Sequence, residues 1–104
     1  MSKYLFAYHG VQMEQNPEAV QATMAEWGEW FGALGSALVD GGAPVGASRT
    51  LAADGSAVDG GGANPVSGYS LVTAGSLDEA LTLAKGCPVL GKGGSIEVAE
   101  TVDM

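Results

Sequence analysis

The last third of the chain constrains the fold most, because it reads as strand, capped helix and strand in immediate succession. Tyr69, Leu71 and Thr73 alternate with Ser70, Val72 and Ala74 between Gly68 and Gly75, the period of a β-strand bounded by turn residues. Ser76 and Glu79 have capping-box spacing. The Ser76 hydroxyl is expected to accept from the Glu79 N–H, and the Glu79 carboxylate to reach back to the Ser76 N–H. Asp78 adds negative charge in the first turn, where the helix dipole favours it. Leu77, Ala80, Leu81 and Ala84 share a helical face, Gly86 suits a left-handed C-cap, and Pro88 keeps the helix from resuming. After a glycine-rich connector, Ile96, Val98 and Val102 alternate with Glu97, Ala99 and Thr101 in a second strand.

Upstream, residues 3–9 form a strand with Tyr4, Phe6 and Tyr8 on one face and Leu5, Ala7 and His9 on the other. Both faces are largely apolar, as in a central strand covered on both sides. Residues 10–15 read as an irregular loop. Asn16, Pro17 and Glu18 then supply an N-cap, a first-turn proline and a first-turn acid. Val20, Met24, Trp27, Phe31, Leu34 and Leu38 recur at helical spacing, with Phe31 mid-stripe and Glu18, Ala22 and Glu29 on the wet face. Gly28 and Gly32 interrupt this helix, each at a cost of about 1 kcal/mol against alanine. Either stability elsewhere absorbs that cost, or another backbone approaches there. Gly35 ends the helix, residues 40–44 make a turn, and residues 45–52 form a strand interrupted by Gly46. Asp54-Gly55 is a hairpin turn, and residues 60–65 are a loop leading into the strand of the first paragraph. The predicted order is β-α-β-β-β-α-β: a single α+β domain over residues 1–104, ferredoxin-like with an additional strand. Its mainly antiparallel sheet carries two helices on one face.

Charge narrows the function. The net charge is −8, and the only cations are Lys3, Arg49, Lys85 and Lys92, too few and too scattered for a nucleic-acid surface or an anionic membrane. The single cysteine, Cys87, excludes an intrachain disulfide and a cysteine-based metal site. One histidine among scattered carboxylates has no metal-ligand spacing, so neither metal nor cofactor is expected. No apolar run reaches signal-peptide or spanning length, and a reducing cytoplasm is the expected location.

Several pieces resemble a known family. Ser76-Leu77-Asp78-Glu79-Ala80-Leu81, Ala84-Lys85-Gly86-Cys87-Pro88 and Gly94-Ser95-Ile96-Glu97-Val98 resemble the C-terminal half of YCII-related (DGPF-motif) domain proteins. The opening Lys3-Tyr4-Leu5-Phe6-Ala7-Tyr8-His9 and the helix around Trp27 and Gly35 are similar to that family's first half. The resemblance implies a dimeric α/β barrel, in which two ferredoxin-like sheets pack face to face, similar in structure to muconolactone isomerases. Some members of the family act on small cyclic or aromatic metabolites. Two departures stand out. Asp59-Gly60 is followed by Gly61-Gly62 where the family has Pro-Phe. The histidine that some members carry on the first helix, as part of a His–Asp acid/base pair, falls near Met24 here.

The candidate chemistry therefore rests on few residues. His9 is the only side chain with an ordinary pKa near neutrality, and Asp40 is the carboxylate considered as its partner in acid–base catalysis. A lone strand-end histidine that simply hydrogen-bonds backbone or solvent is the competing account. His9 is expected to line a small pocket at the end of the first strand. Tyr8 and Tyr69 are candidate phenolic donors to a ligand, Trp30 a candidate pocket floor with Trp27 assigned to the core, and Arg49 a candidate carboxylate binder. Cys87, flanked by Gly86 and Pro88, reads as buried and inert. Two classes remain open. One is a homodimer that binds a small molecule or a protein partner; the other is a cofactor-independent isomerase or lyase.

Overall fold

The computed structural model describes residues 1–10 and 16–103, so the loop expected over 10–15 lies, beyond Gly10, outside the described residues. The order is β1 (Ser2–His9), α1 (Pro17–Leu34), a 3-10 turn (Gly35–Ala37), β2 (Leu38–Pro44), β3 (Arg49–Leu51), β4 (Ala57–Asp59), β5 (Val66–Ala74), α2 (Leu77–Ala84), α3 (Pro88–Gly91) and β6 (Ser95–Glu100). This is an α+β fold. Its four-stranded antiparallel sheet runs β2-β5-β1-β6, an order compatible with a ferredoxin-like layout, while among the described residues β3 and β4 pair only with each other. The expected additional strand is thus a separate hairpin rather than part of the main sheet.

β1 is central, as its two apolar faces require. Tyr4, Phe6 and Tyr8 are buried and stand opposite Val72, Ser70 and Gly68 of β5. These residues form one core cluster with Trp30 and Leu34 of α1, Ala80 and Ala84 of α2, and Cys87 and Val89. The other parity, with Leu5, Ala7, Leu71 and Thr73, is half-buried and lies outside that cluster.

The helix starts follow their caps. Asn16 Oδ1 accepts from the Glu18 N–H at 2.9 Å, and Ser76 Oγ from the Glu79 N–H at 3.1 Å. The return bond of the second cap differs from expectation: Glu79 Oε2 accepts from the Gly75 N–H at 3.0 Å, one residue earlier. Gly35, at φ 56°, ends α1 with its N–H on the Phe31 carbonyl.

Five local expectations are corrected. Residues 40–44 are not a turn but the body of β2, a bulged edge strand on β5, and the chain from 45 to 48 is not strand. The glycines there read as a turn, yet Gly42 at φ +68° serves a close approach, since a Cβ on it would overlap the Tyr69 carbonyl oxygen. Gly86 is not left-handed and α2 ends on Lys85 in helical conformation; Gly86 instead makes room for Trp30, whose Cδ1 would lie 3.1 Å from an added Cβ. Pro88 opens the short α3 rather than only ending α2. The α1 stripe is also rotated. Trp30 and Leu34 are buried, Trp27 and Phe31 are half-buried, Met24 is 68 % exposed, and Leu38 has already joined β2. In α2 the inward residues are Ala80 and Ala84, with Leu83 packed against the core, while Leu77 and Leu81 are exposed.

The rotation is testable. Trp30→Ala removes a buried indole and its hydrogen bond and should destabilise by about 3–5 kcal/mol. Met24→Ala, with its side chain outside the core, should stay within about 0.5 kcal/mol of the parent in a denaturant titration. Equal midpoints for the two variants would contradict this packing.

Candidate functional site

Which aromatic residue enters the core decides what lines the site. The Trp30 ring stacks on Phe6 (centroids 6.1 Å, interplanar angle 19°), and its Nε1–H donates to the Leu83 carbonyl at 3.1 Å. A buried indole needs such an acceptor. With Trp30 turned inward, Trp27 and Phe31 face sideways, over the β2–β5 side of the sheet. Between them and that side lies a cavity of about 530 Å³.

Its aromatic surface comes from Tyr8, Trp27 and Phe31; the Tyr8 and Trp27 rings meet edge-on at 5.0 Å and 71°. Across from them runs the bulged segment from Gly41 to Val45. Gly28 also lines the cavity, and a Cβ added there, or at Gly32, meets nothing within 4 Å. Among the described residues no other backbone approaches the mid-helix glycines; Gly28 leaves space in the cavity wall. Val89 and Lys92, from α3 and its C-cap, stand at the border, where Lys92 Nζ donates to Thr23 Oγ1 at 2.9 Å.

Tyr8 is a wall rather than a proton donor to a ligand. Its hydroxyl donates to Ser70 Oγ at 2.7 Å, and Ser70 Oγ donates to the Gly41 carbonyl at 2.8 Å. Burial pushes the phenol pKa well above its ordinary value. Tyr69 borders the cavity, but its side chain shares the Ala7 face of the sheet and is 38 % exposed. Trp30 lies in the core and not in the cavity wall. Arg49 is on the β3–β4 hairpin, 3.3 Å from Asp59 in an exposed ion pair, away from the site.

His9 and Asp40 do not meet. Asp40 stands level with Leu71 and hence with Leu5, four residues along β1 from His9, about 13 Å by strand rise alone. Asp40 Oδ1 instead accepts from the Gly42 N–H at 2.8 Å, holding the bulge. His9 Nδ1 faces the carbonyl oxygens of Asn64 and Pro65 at 3.1 and 3.2 Å, so this nitrogen is the donor. Nε2 is buried without a hydrogen-bond partner, 3.6 Å from Glu97 Oε1. These contacts tie the strand end to the 64–65 loop. His9 lines neither this cavity nor the smaller hollow of about 290 Å³ between α2, α3 and β6.

Among the described residues, no group of three or more His, Cys, Asp or Glu side chains converges, and no helix is long and apolar enough to cross a membrane. No protein-family model matches the chain, and a comparison with curated proteins gives no match. Sequence reasoning missed Thr23, Gly28 and Lys92 as wall residues. The one signal available was the glycine in mid-helix, where an alanine would have been more stable.

Cys87 is buried, and burial raises its thiol pKa from 9.0 to about 11. The native thiol should then be nearly unreactive toward alkylating reagents at about pH 8, and become fully reactive on denaturation. Because the unfolded chain releases this proton first, the thiol lowers stability as pH rises from 9.0 toward about 11 and is neutral below that window. Rapid native-state alkylation at the lower pH would contradict the burial.

Proposed function

We propose that the protein is a homodimer of the YCII-related type, a dimeric α/β barrel, and that each protomer binds a small apolar molecule between α1 and the β2–β5 side of its sheet. The cavity carries the binding reading. Its volume of about 530 Å³ falls among ligand sites, and its walls are aromatic and aliphatic. Gly28 supports the same reading, since a helix keeps an unfavourable residue there with open space beside it.

Exposed area supports the dimer. The protomer exposes 6874 Å². A folded monomer of this length exposes about 5,400 Å², leaving an excess of about 1,500 Å². Each partner in a standard interface contributes about 800 Å². The radius of gyration, 14.8 Å, likewise exceeds the ~13 Å of a compact chain this long. Two features leave apolar surface for a partner. The Leu5, Leu71 and Tyr69 side of the sheet lies outside the protomer's core, and two such sheets closing on each other would bury it. The β3–β4 hairpin exposes Leu51 and Val58 to 72 % and 62 %, although a lone two-stranded hairpin is marginal in water.

Acid–base catalysis on a cyclic or aromatic metabolite is the less supported reading, because the only histidine lies outside the cavity and is separated from Asp40.

Two measurements test these points. The neutral fluorescent probe N-phenyl-1-naphthylamine should bind the parent saturably, and Gly28→Leu, which fills the cavity, should abolish binding while keeping or raising the thermal midpoint. Saturable binding unchanged in that variant, or none in the parent, would remove the cavity as the site. Sedimentation at micromolar concentration should give about twice the chain mass; a monomer there would sink the barrel.

A further inference from the structure

Two strand edges of the protomer find no partner among its described residues. The first belongs to β6, which pairs with β1 on one side and with no strand on the other. The ladder fixes which groups that edge presents. The Thr101 N–H donates to the Lys3 carbonyl at 2.9 Å, so every second residue of β6, counted from Thr101, bonds β1. Ile96, Val98 and Glu100 therefore turn their N–H and C=O groups outward. Sheets guard such an edge with a proline, a lysine or a bulge. At the opposite edge β2 has Pro44 and register shifts; β6 has neither proline nor lysine, and its pairing is regular. Beside Ile96 and Val98 opens the hollow of about 290 Å³, where Leu81 and Leu90 are exposed.

The second edge belongs to the β3–β4 hairpin. The Gly60 N–H meets the Ser48 carbonyl at 2.9 Å and the Ala52 N–H the Ser56 carbonyl at 2.7 Å, so Thr50 and Val58 are the bonded pair between them. Arg49 and Leu51 therefore turn their backbone groups to the outside of β3. Leu51 and Val58 lie on opposite faces of the hairpin, and both are exposed. Apolar residues on both faces suit a strand that is covered on both sides, and a third strand is what a lone hairpin lacks.

Resting on the dimer reading above, the geometry points to the β3 edge of each protomer pairing antiparallel with the β6 edge of the other. One register matches chemistry as well as backbone. It sets Leu51 opposite the partner's Val98, beside the apolar hollow, and Arg49 opposite the partner's Glu100. All four residues turn their N–H and C=O groups outward, so both pairs are hydrogen-bonded ones, and directly opposed side chains share a face. Arg49 lies against Asp59 in the open, and its five N–H donors can hold a second carboxylate. A second copy is the occupant because one exchange about a two-fold axis satisfies both edges and closes the assembly. The strand directions agree. β2 runs antiparallel to β6, and a two-fold axis along the strands sets the β2 edge of one sheet over the β6 edge of the other, on the side where the hairpin leaves.

The test mixes two variants made separately, Leu51→Cys and Val98→Cys, at micromolar concentration; the native Cys87 thiol is buried and takes no part. Mild oxidation of the equilibrated mixture should give a covalent dimer holding one copy of each variant, and neither variant alone should cross-link. Leu51→Asp, at a position exposed in the protomer, should keep its circular dichroism spectrum. It should raise the dimer dissociation constant by about tenfold for each lost contact, about a hundredfold for the symmetric two. In a parent that sediments as a dimer, no mixed disulfide, equal cross-linking by either variant alone, or an unchanged constant in Leu51→Asp would overturn the pairing. The sheet-face dimer would then stand, with β6 open to an extended segment of another protein. A parent that sediments as a monomer would overturn both.

Discussion

The seating of the Trp30 indole is the constraint on which the other arrangements depend. The ring lies on Phe6 of β1, takes the space left by Gly86, and satisfies its N–H on Leu83 of α2. Three elements distant in sequence are thereby held by one side chain. Burying an indole is favourable only when its donor finds an acceptor, so the position of the Leu83 carbonyl fixes the rotation of α1 as firmly as the apolar contact does. Trp27 and Phe31 share ring contacts with Trp30 at 5.6 Å each, yet they cannot occupy the same core position. They are displaced along the helix surface and become the wall of a cavity. That cavity is a consequence of which tryptophan entered the core.

The opposite wall depends on a second, polar constraint. Tyr8, Ser70 and the Gly41 carbonyl form a hydrogen-bonded chain across β1, β5 and β2, with Ser70 fully buried. Each member satisfies the next in a region of low dielectric, where an unpaired hydroxyl would be costly. The chain holds the bulged part of β2 against β5 despite its register shifts. Gly42 permits the approach and Asp40 caps its N–H, so the edge strand is shaped to the cavity rather than continued as a regular ladder.

Much of this was legible in the sequence, and the reasons for the rest are physical. Strands β1, β5 and β6, both helix starts and the Asp54-Gly55 turn followed from short-range signals: alternation, side-chain caps and a turn dipeptide. Gly55 has φ 89°, and Asp54 Oδ1 accepts from both the Ser56 N–H and hydroxyl. β2 was missed because Asp40-Gly41-Gly42-Ala43-Pro44 has turn composition, and only the tertiary contact with Tyr69 makes Gly42 a strand residue. Helix spacing admitted both Trp27 and Trp30 near the apolar stripe, and the choice between them lay in Leu83 and Gly86, more than fifty residues away. The candidate site suffered most, for the same reason. Tyr8 was named, but Thr23, Gly28 and Lys92 carry no local signature, and Asp40 looked available because its bond to Gly42 is a property of the bulge.

The two unfilled surfaces of the protomer lie on opposite sides of one sheet, and this separates their roles. Side chains alternate along β1, so Tyr8 faces α1 and the cavity, while Leu5 and Ala7 face the side that lies outside the core cluster. Pairing of two protomers through that second side would bury apolar area and meet the cavity only at its Tyr69 border. The β3–β4 hairpin is different, because its two stems leave the sheet at the cavity border, where the Val45 N–H bonds the Ser67 carbonyl. A contact that restrains the hairpin acts on the wall segment from Gly41 to Val45 through continuous backbone. That segment is an edge strand broken by register shifts, with fewer ladder bonds to resist displacement than β1 or β5. The part of the wall with the least support from the sheet is therefore the part joined to the exposed hairpin, while the Tyr8 and Trp27 side is anchored by the core.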